Sequence, residues 1–371
     1  MNGRRLVGLM IKETQQILRD PSALGIAFVL PLFLLLLFGY GVSLNAKHVP
    51  IGVVADHPNP ITEPLVAALR HSRYFDIRPL SGLGPARDLL SRREIDAILW
   101  LRNDFARQTL TEAPATIGLI VNGTDANTAR LVEGYVLQAW MIWLSQQNQV
   151  ASRPLGLPVA LQFRIWFNPA LRSQDYLVPG LIAIIMTLIG ALLTALVVAR
   201  EWERGTMEAL MAAPVTMAEI LAGKLLPYFV LGMGGMALSV ALAVFVFAVP
   251  LQGSLLILAL ASALFMLVAL GMGLLISSLA RNQFVAGQIA IVVTFLPAFI
   301  LSGFVFDIRS MPAPVQMITR ILPARYFVSI LQSVFLAGDV WPVILPDMVI
   351  LALMAVFFLG VTLARSHKRL D

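Results

Sequence analysis

The residues best placed for chemistry lie in one stretch, Arg200-Glu201-Trp202-Glu203-Arg204-Gly205-Thr206-Met207-Glu208-Ala209-Leu210-Met211-Ala212-Ala213-Pro214-Val215-Thr216. Arg200, Glu201, Glu203, Arg204 and Glu208 crowd charge into its first half, between two long apolar runs. Gly205-Thr206 breaks a helix and starts a short new one through Met211. Glu208 falls in its first turn, where the helix dipole favours an acid. Pro214 stops that helix, and Thr216-x-x-Glu219 has the pattern of a capping box that opens the next. The chemistry on offer is recognition. A charge-flanked amphipathic helix held between two long helices can take a push from a partner and pass it to both. The plainer reading is that these charges only fix topology and satisfy helix ends, since surface charge is usually solvated.

Catalytic and ligand chemistry has few residues to work with. His48, His57, His71 and His367 show no ligand spacing, and the absence of cysteine excludes disulfides and thiolate metal sites. No G-x-x-x-x-G-K-[ST] occurs, and Gly223-Lys224 lacks both the upstream glycine and the following hydroxyl. No G-x-G-x-x-G follows a strand, and no nucleophile–base constellation can be argued from the spacings. The expectation is no enzyme, no metal and no cofactor in this chain. The net charge is +6, but no basic stripe with interleaved aromatics accompanies it, which excludes nucleic acid as a partner.

The elements that must hold the charged stretch are membrane spans. Of 371 residues 58% are hydrophobic and 13% charged, about half the charge of a soluble globular chain. The excess apolar surface must face lipid. A bilayer core of about 30 Å needs about 20 apolar residues in a helix. Uncharged runs of that length occur at Ser22–Leu44, Leu177–Ala199, Leu225–Pro250, Leu255–Ala280 and Phe284–Phe306, and a sixth at Val343–Ala364 holds Asp347 near its outer end. An even number puts both termini on one side. Arg4, Arg5, Lys12 and Arg19 precede the first run, Arg200, Arg204 and Lys224 follow the second, Arg281 follows the fourth, and Arg365, Lys368 and Arg369 follow the sixth. The short opposite loop Val249–Ser254 carries no charge. This positive-inside pattern predicts cytoplasmic termini.

The first run is read as a retained span and not a cleaved signal peptide, because Glu13 and Asp20 precede it and no clear cleavage site follows. Asp20-Pro21 reads as an N-cap with proline at the first helical position. Ahead of it, residues 1–21 read as an amphipathic helix in the cytoplasmic interface, with Leu6, Met10, Ile17 and Leu18 on the apolar side and Lys12, Glu13, Gln16 and Arg19 opposite. Its plainer role is an orientation anchor.

Residues 45–176, between spans one (22–44) and two, alternate extended and helical patterns. Val49–Ala55, Ile95–Leu101 and Ala115–Val121 read as strands, and Ile61–His71, Gly84–Arg93 and Thr124–Gln147 as helices. This predicts a small extracytoplasmic α/β domain. The remaining five spans occupy 177–371, with the short cytoplasmic helix at about 200–216. In the outer segment at about 307–341, Val315–Leu322 and Arg325–Leu336 have helical spacing between prolines. The fold class is therefore an α-helical integral membrane protein with six transmembrane helices and one α/β domain.

The span centres hold no ionisable residue. A charge there costs at least about 2.5–3.5 kcal/mol and persists mainly for function, so an ion-coupled carrier is the weakest transport reading. Thr187, Thr194, Ser239, Ser262, Ser277, Ser278 and Thr294 can bond back to their own helix carbonyls. Energy for uphill transport is expected to enter from outside the bilayer.

The stretch RExERGTxExLxxxPVT resembles the signature of the ABC-2-type transporter permeases, through Arg200, Glu201, Glu203, Gly205, Thr206, Glu208, Leu210, Pro214 and Thr216. Lys12, Glu13, Leu18, Arg19, Asp20 and Pro21 look like that family's helix leading into span one. Asn122-Gly123-Thr124-Asp125-Ala126-Asn127 is similar to a polar turn in the outer domain of its multidrug-exporter branch, and Phe167-Asn168-Pro169 to its lead-in to span two. Leu301-Ser302-Gly303, Met311-Pro312 and Pro323 with Tyr326-Phe327 resemble its closing outer helices. Trp202 departs from a usually polar position and is expected to add an apolar contact at the partner surface.

The resemblance implies a permease subunit in a bacterial inner membrane that exports an amphipathic drug, lipid or related solute. It implies a second permease chain, a cytoplasmic ATP-binding subunit docking at the loop helix with ATP and Mg held there, contact with membrane lipid and sometimes a periplasmic adaptor. The rival from another class is a non-transporting sensor or scaffold whose outer domain binds a ligand or adaptor.

Overall fold

The computed structural model describes residues 3–41, 49–56, 62–70, 72, 74–92, 94–103, 117–122, 132–143, 172–280 and 282–365. Two compact units result, one of residues 43–164 and one of residues 1–42 with 165–371.

Among the described residues of the larger unit, six helices are long and apolar enough to cross a membrane. They are span 1 (Pro21–Gly41), span 2 (Gln174–Glu203), span 3 (Met217–Val246), span 4 (Leu255–Ala280), span 5 (Gln283–Leu301) and span 6 (Trp341–Arg365). Span 2 is the most enclosed and packs on span 4, and span 4 packs on span 6. Apolar spans gain nothing by hiding from lipid, so close approach of small residues must hold them together. Gly235 abuts the carbonyl of Ala27, and Gly273 abuts the carbonyl of Ala191, so a Cβ at either would displace backbone. Polar hydroxyls are satisfied inside. Thr187, Ser239, Ser262 and Thr294 donate to carbonyls one turn back, as their positions lead one to expect. Two do more. Thr194 also donates to the carbonyl of Leu270 at 2.8 Å. The Ser277 hydroxyl donates to the carbonyl of Ala195 and accepts from the N–H of Ala199, both at 2.6 Å.

Span 3 begins at Met217, eight residues before the uncharged run starting at Leu225. Thr216 and Glu219 form the reciprocal capping box, so Lys224 lies inside the helix and not in a loop. At the other end of the bundle the two proline-bounded helices differ. Ala313–Thr319 leaves Met317 and Ile318 exposed, whereas Pro323–Gln332 buries Phe327, Val328, Ile330 and Leu331 against spans 2, 4 and 6. Phe327 stacks on Phe265 of span 4 with ring centroids 4.1 Å apart.

The smaller unit has a four-stranded sheet in the order β2-β1-β3-β4, with β1 Val49–Ala55, β2 Phe75–Leu80, β3 Ala97–Leu101 and β4 Ile117–Val121. β1 is parallel to β2 and β3, and β3 is antiparallel to β4. Helices Thr62–Arg70, Leu83–Ser91 and 132–143 accompany it. β2 escapes the sequence reading because its Phe-Asp-Ile-Arg-Pro-Leu lacks a β-branched run and holds Pro79, which an edge strand tolerates.

Candidate functional site: the charged turn and the helix that locks it

The amino-terminal helix Gly3–Leu18 packs along span 3. Its faces differ from the sequence expectation. Glu13, assigned to the polar side, is 1% exposed, and Leu18, assigned to the same apolar side as Ile17, is 67% exposed while Ile17 is buried. Leu6, Leu9, Met10, Glu13 and Ile17 turn toward the protein, while Val7, Ile11 and Leu18 form a separate exposed apolar stripe. The correction follows from Glu13 meeting a cation that lies 211 residues away.

That cation is Lys224. Its Nζ sits 2.8 Å from Glu13 Oε1 and 2.7 Å from Glu201 Oε1, and the Lys12 Nζ sits 3.3 Å and 3.0 Å from the same two oxygens. Two ammoniums and two carboxylates thus alternate around a closed square. It ties the amino-terminal helix to the end of span 2 and the start of span 3. Lys224, Glu13 and Glu201 are almost fully buried, and Lys12 is half exposed. The second oxygens of Glu13 and Glu201 have no hydrogen-bond partner among the described residues. Burial works against the charge of Lys12, but Glu201 and then Glu13 outweigh it and hold its ammonium above the ordinary lysine range. A raised lysine contributes its stabilisation below its ordinary pKa and loses it only as pH climbs past the raised value, so Lys12 makes its full contribution at neutral pH.

A second tie sits beside the first. Asp20 caps span 1 through the N–H groups of Ser22 and Ala23 and pairs with the Arg200 guanidinium. Burial alone would raise its carboxyl, but Arg200 and the two backbone donors hold it below the ordinary carboxylate range. Its contribution is present at neutral pH and is lost only on acidification through the lowered value. A third tie joins Arg5 to the carbonyl of Pro214.

The turn after span 2 follows from Gly205. Its φ of 68° is left-handed, and the helix Thr206–Ala212 starts from it. The Thr206 hydroxyl reaches back to the carbonyl of Glu201 at 3.3 Å. Met207, with Leu210 and Trp202, packs on Val198 of span 2 and Leu274 of span 4. Trp202 is half-buried, with part of its ring in this cluster and the rest left accessible. Glu208 stays exposed. Glu203 Oε1 accepts the N–H of Gln283 at 2.8 Å, which bridges the turn to the first residue of span 5.

The residues assigned to coupling and to the entry helix therefore lie on neighbouring elements, from Lys12, Glu13, Arg19, Asp20 and Pro21 to Arg200, Glu201, Glu203, Gly205, Thr206, Glu208, Leu210 and Pro214. Lys224, Ser277 and Gln283 escape the sequence reading. Only the lysine leaves a signal there, a lone cation one turn after a capping box. Gly123–Asn127, Phe167–Pro169 and the four histidines lie outside the described residues. Beside the turn, an open groove of about 580 Å³ runs between spans 2 and 5, lined by Leu192, Leu196, Glu203, Phe284, Gln288 and Ile291 among others.

Comparison with known proteins gives the family. The chain is 44% identical to the "probable multidrug ABC transporter permease YbhS" of Escherichia coli K12, over all of this chain and 99% of that protein. It is 30% identical to the "probable multidrug ABC transporter permease YbhR" of the same strain, over 94% of this chain and 95% of that one. It is also 30% identical to the "inner membrane transport permease YhhJ" over 71% of each. The pattern of the family described as ABC-2 family transporter protein matches residues 22–364, which take in the six spans but for Pro21 and Arg365 at their two ends, Asp20's partner Arg200 and the turn at Gly205. The chain belongs to the ABC-2 family of transporter proteins and is a multi-pass membrane permease.

Proposed function

We propose that this permease exports an amphipathic drug, lipid or related solute, driven by ATP hydrolysis on a separate cytoplasmic subunit. The observation that carries the reading is the ionic square. Because Lys12, Glu13, Glu201 and Lys224 join three helices beside Thr206–Ala212, a push on that short helix moves the amino-terminal helix and spans 2 and 3 as one body. ATP and Mg bind the partner; this chain supplies Glu208, exposed in the first turn, and the loop helix as its docking element. Glu203 passes the motion to span 5 through Gln283.

Both termini lie in the cytoplasm of a bacterial cell, in its inner membrane, and the α/β unit lies outside, where it can meet a periplasmic adaptor. Two permease chains pair, and the solute follows their interface. In support, Gln288 is exposed on span 5 within an apolar face, and a polar side chain at that depth wants a partner.

The test is co-purification with the ATP-binding subunit, followed by ATP hydrolysis in lipid with candidate solutes. Glu203→Ala should abolish solute-stimulated hydrolysis while the chain still inserts. Full stimulation in that variant removes Glu203 from coupling. Failure of any ATP-binding subunit to associate would favour the sensor or scaffold reading.

A further inference from the structure

A second groove, of about 460 Å³, lies between the amino-terminal helix and the end of span 2. Lys12, Gln16, Arg19, Asp20, Arg200 and Arg204 line it. Its volume falls within the range of about 300–1,000 Å³ typical of small-ligand sites. Four cations face one acid. Lys12 is committed to Glu13 and Glu201, and Arg200 to Asp20. Arg19 and Arg204 are exposed, and among the described residues their side chains enter no ion pair or hydrogen bond. Two guanidiniums on opposite walls of a polar groove are suited to one phosphodiester, which accepts from both in bidentate fashion.

The apolar stripe of the same helix says which phosphodiester. Val7, Ile11 and Leu18 are 53%, 54% and 67% exposed. At 100° per residue this stripe gives way, going round the helix, to Gln15 and then to Arg19, Lys12 and Gln16. Pro21, where span 1 begins, also lines the groove. Hydrocarbon is needed beside Leu18, and headgroups lie at the level where the apolar run of span 1 starts. We infer that this groove holds the headgroup of an anionic phospholipid, with the phosphate between Arg19 and Arg204 and the acyl chains against Val7, Ile11 and Leu18. Placed there, a lipid bridges the amino-terminal helix to the end of span 2 beside the ionic square. The inference needs only the membrane setting of the chain and not the coupling role proposed above.

The experiment offers equimolar phosphatidylglycerol and phosphatidylcholine to the full chain in mild detergent and counts bound lipid by native mass spectrometry. The wild type should retain phosphatidylglycerol in preference. Arg19→Gln with Arg204→Gln should lower that retention about tenfold or more, since each basic residue at the surface of an anionic membrane contributes about 1 kcal/mol. Phosphatidylcholine retention should not change. Arg309→Gln, at the other end of the bundle, should leave both lipids unaffected. Because the side chains of Arg19 and Arg204 have no partner to lose among the described residues, an unchanged melting temperature should show that the double variant folds. Equal phosphatidylglycerol retention in wild type and double variant overturns the inference. Displacement of the lipid by millimolar inorganic phosphate would assign the groove to a free anion. Unchanged lipid with lost association of the ATP-binding subunit would make it a protein-docking surface.

Discussion

Lys224 is the side chain on which most depends, because it is the buried cation between two buried acids. Lys224→Met leaves Glu13 and Glu201 facing each other with only the half-exposed Lys12 between them. Removing one partner of a buried ionic group typically costs about 3–5 kcal/mol. Thermal unfolding in detergent should show a loss of that order, and adding Glu13→Gln to the same chain should recover part of it. A Lys224→Met chain that melts like the wild type would mean that the square is not formed. Neither Glu13 nor Lys224 betrays this role in the sequence. A helical wheel sorts residues by polarity, so it sends Glu13 to the solvent side. Its burial comes from a partner 211 positions away, which no local pattern encodes.

The turn between spans 2 and 3 was the most legible element, because each of its signals is local. Gly205, Pro214, Thr216 and Glu219 mark its breaks and cap within a few residues. A Cβ at Gly205 would meet nothing within 4 Å, so the cost of substitution there is conformational alone. Gly205→Ala should lower stability by about 1–2 kcal/mol and keep some stimulated ATP hydrolysis. Gly205→Pro cannot reach a φ of 68° and should abolish stimulation outright. Equal activity in the two variants would show that the left-handed turn is dispensable. Just before this turn, the Ser277 hydroxyl sits between Ala199 N–H and Ala195 C=O, the two groups that one turn of span 2 pairs with each other. In Ser277→Ala they can pair directly, so the melting temperature should barely move while solute-stimulated hydrolysis falls. Retained stimulation would mean that span 4 has no part in positioning the end of span 2. Nothing in the spacing of Ser277 separates it from Ser262, which bonds back within its own helix.

In the full bundle span 2 is central, while spans 5 and 6 show most of their surface to lipid or to another chain. On span 5, Phe284, Gln288 and Ile291 share one exposed face at helical spacing and line the groove beside Glu203. Span 6 exposes Val349, Val356 and Phe357, which are apolar throughout. If two chains pair as proposed, the contrast favours span 5 over span 6 as the pairing face. The chain contains no cysteine, so single substitutions report cleanly. In native membranes Ile291→Cys should give an oxidant-dependent linked dimer, and Val356→Cys should not. Linking only through position 356 would move the interface to span 6.

The six spans, the capping of span 1 by Asp20 and the short helix after Gly205 follow from apolar run length and from residues within one turn of each other, so the chain declares them without its fold. Tertiary structure decided the rest. It buried Glu13, drew Lys224 into the square, packed part of Trp202 on a cluster that includes Leu274 of span 4, and set Pro323–Gln332 among the spans while leaving Ala313–Thr319 exposed. Each of those outcomes rests on a partner far along the chain. A buried charge or a packed ring is settled by what lies across from it, not by what lies beside it in sequence.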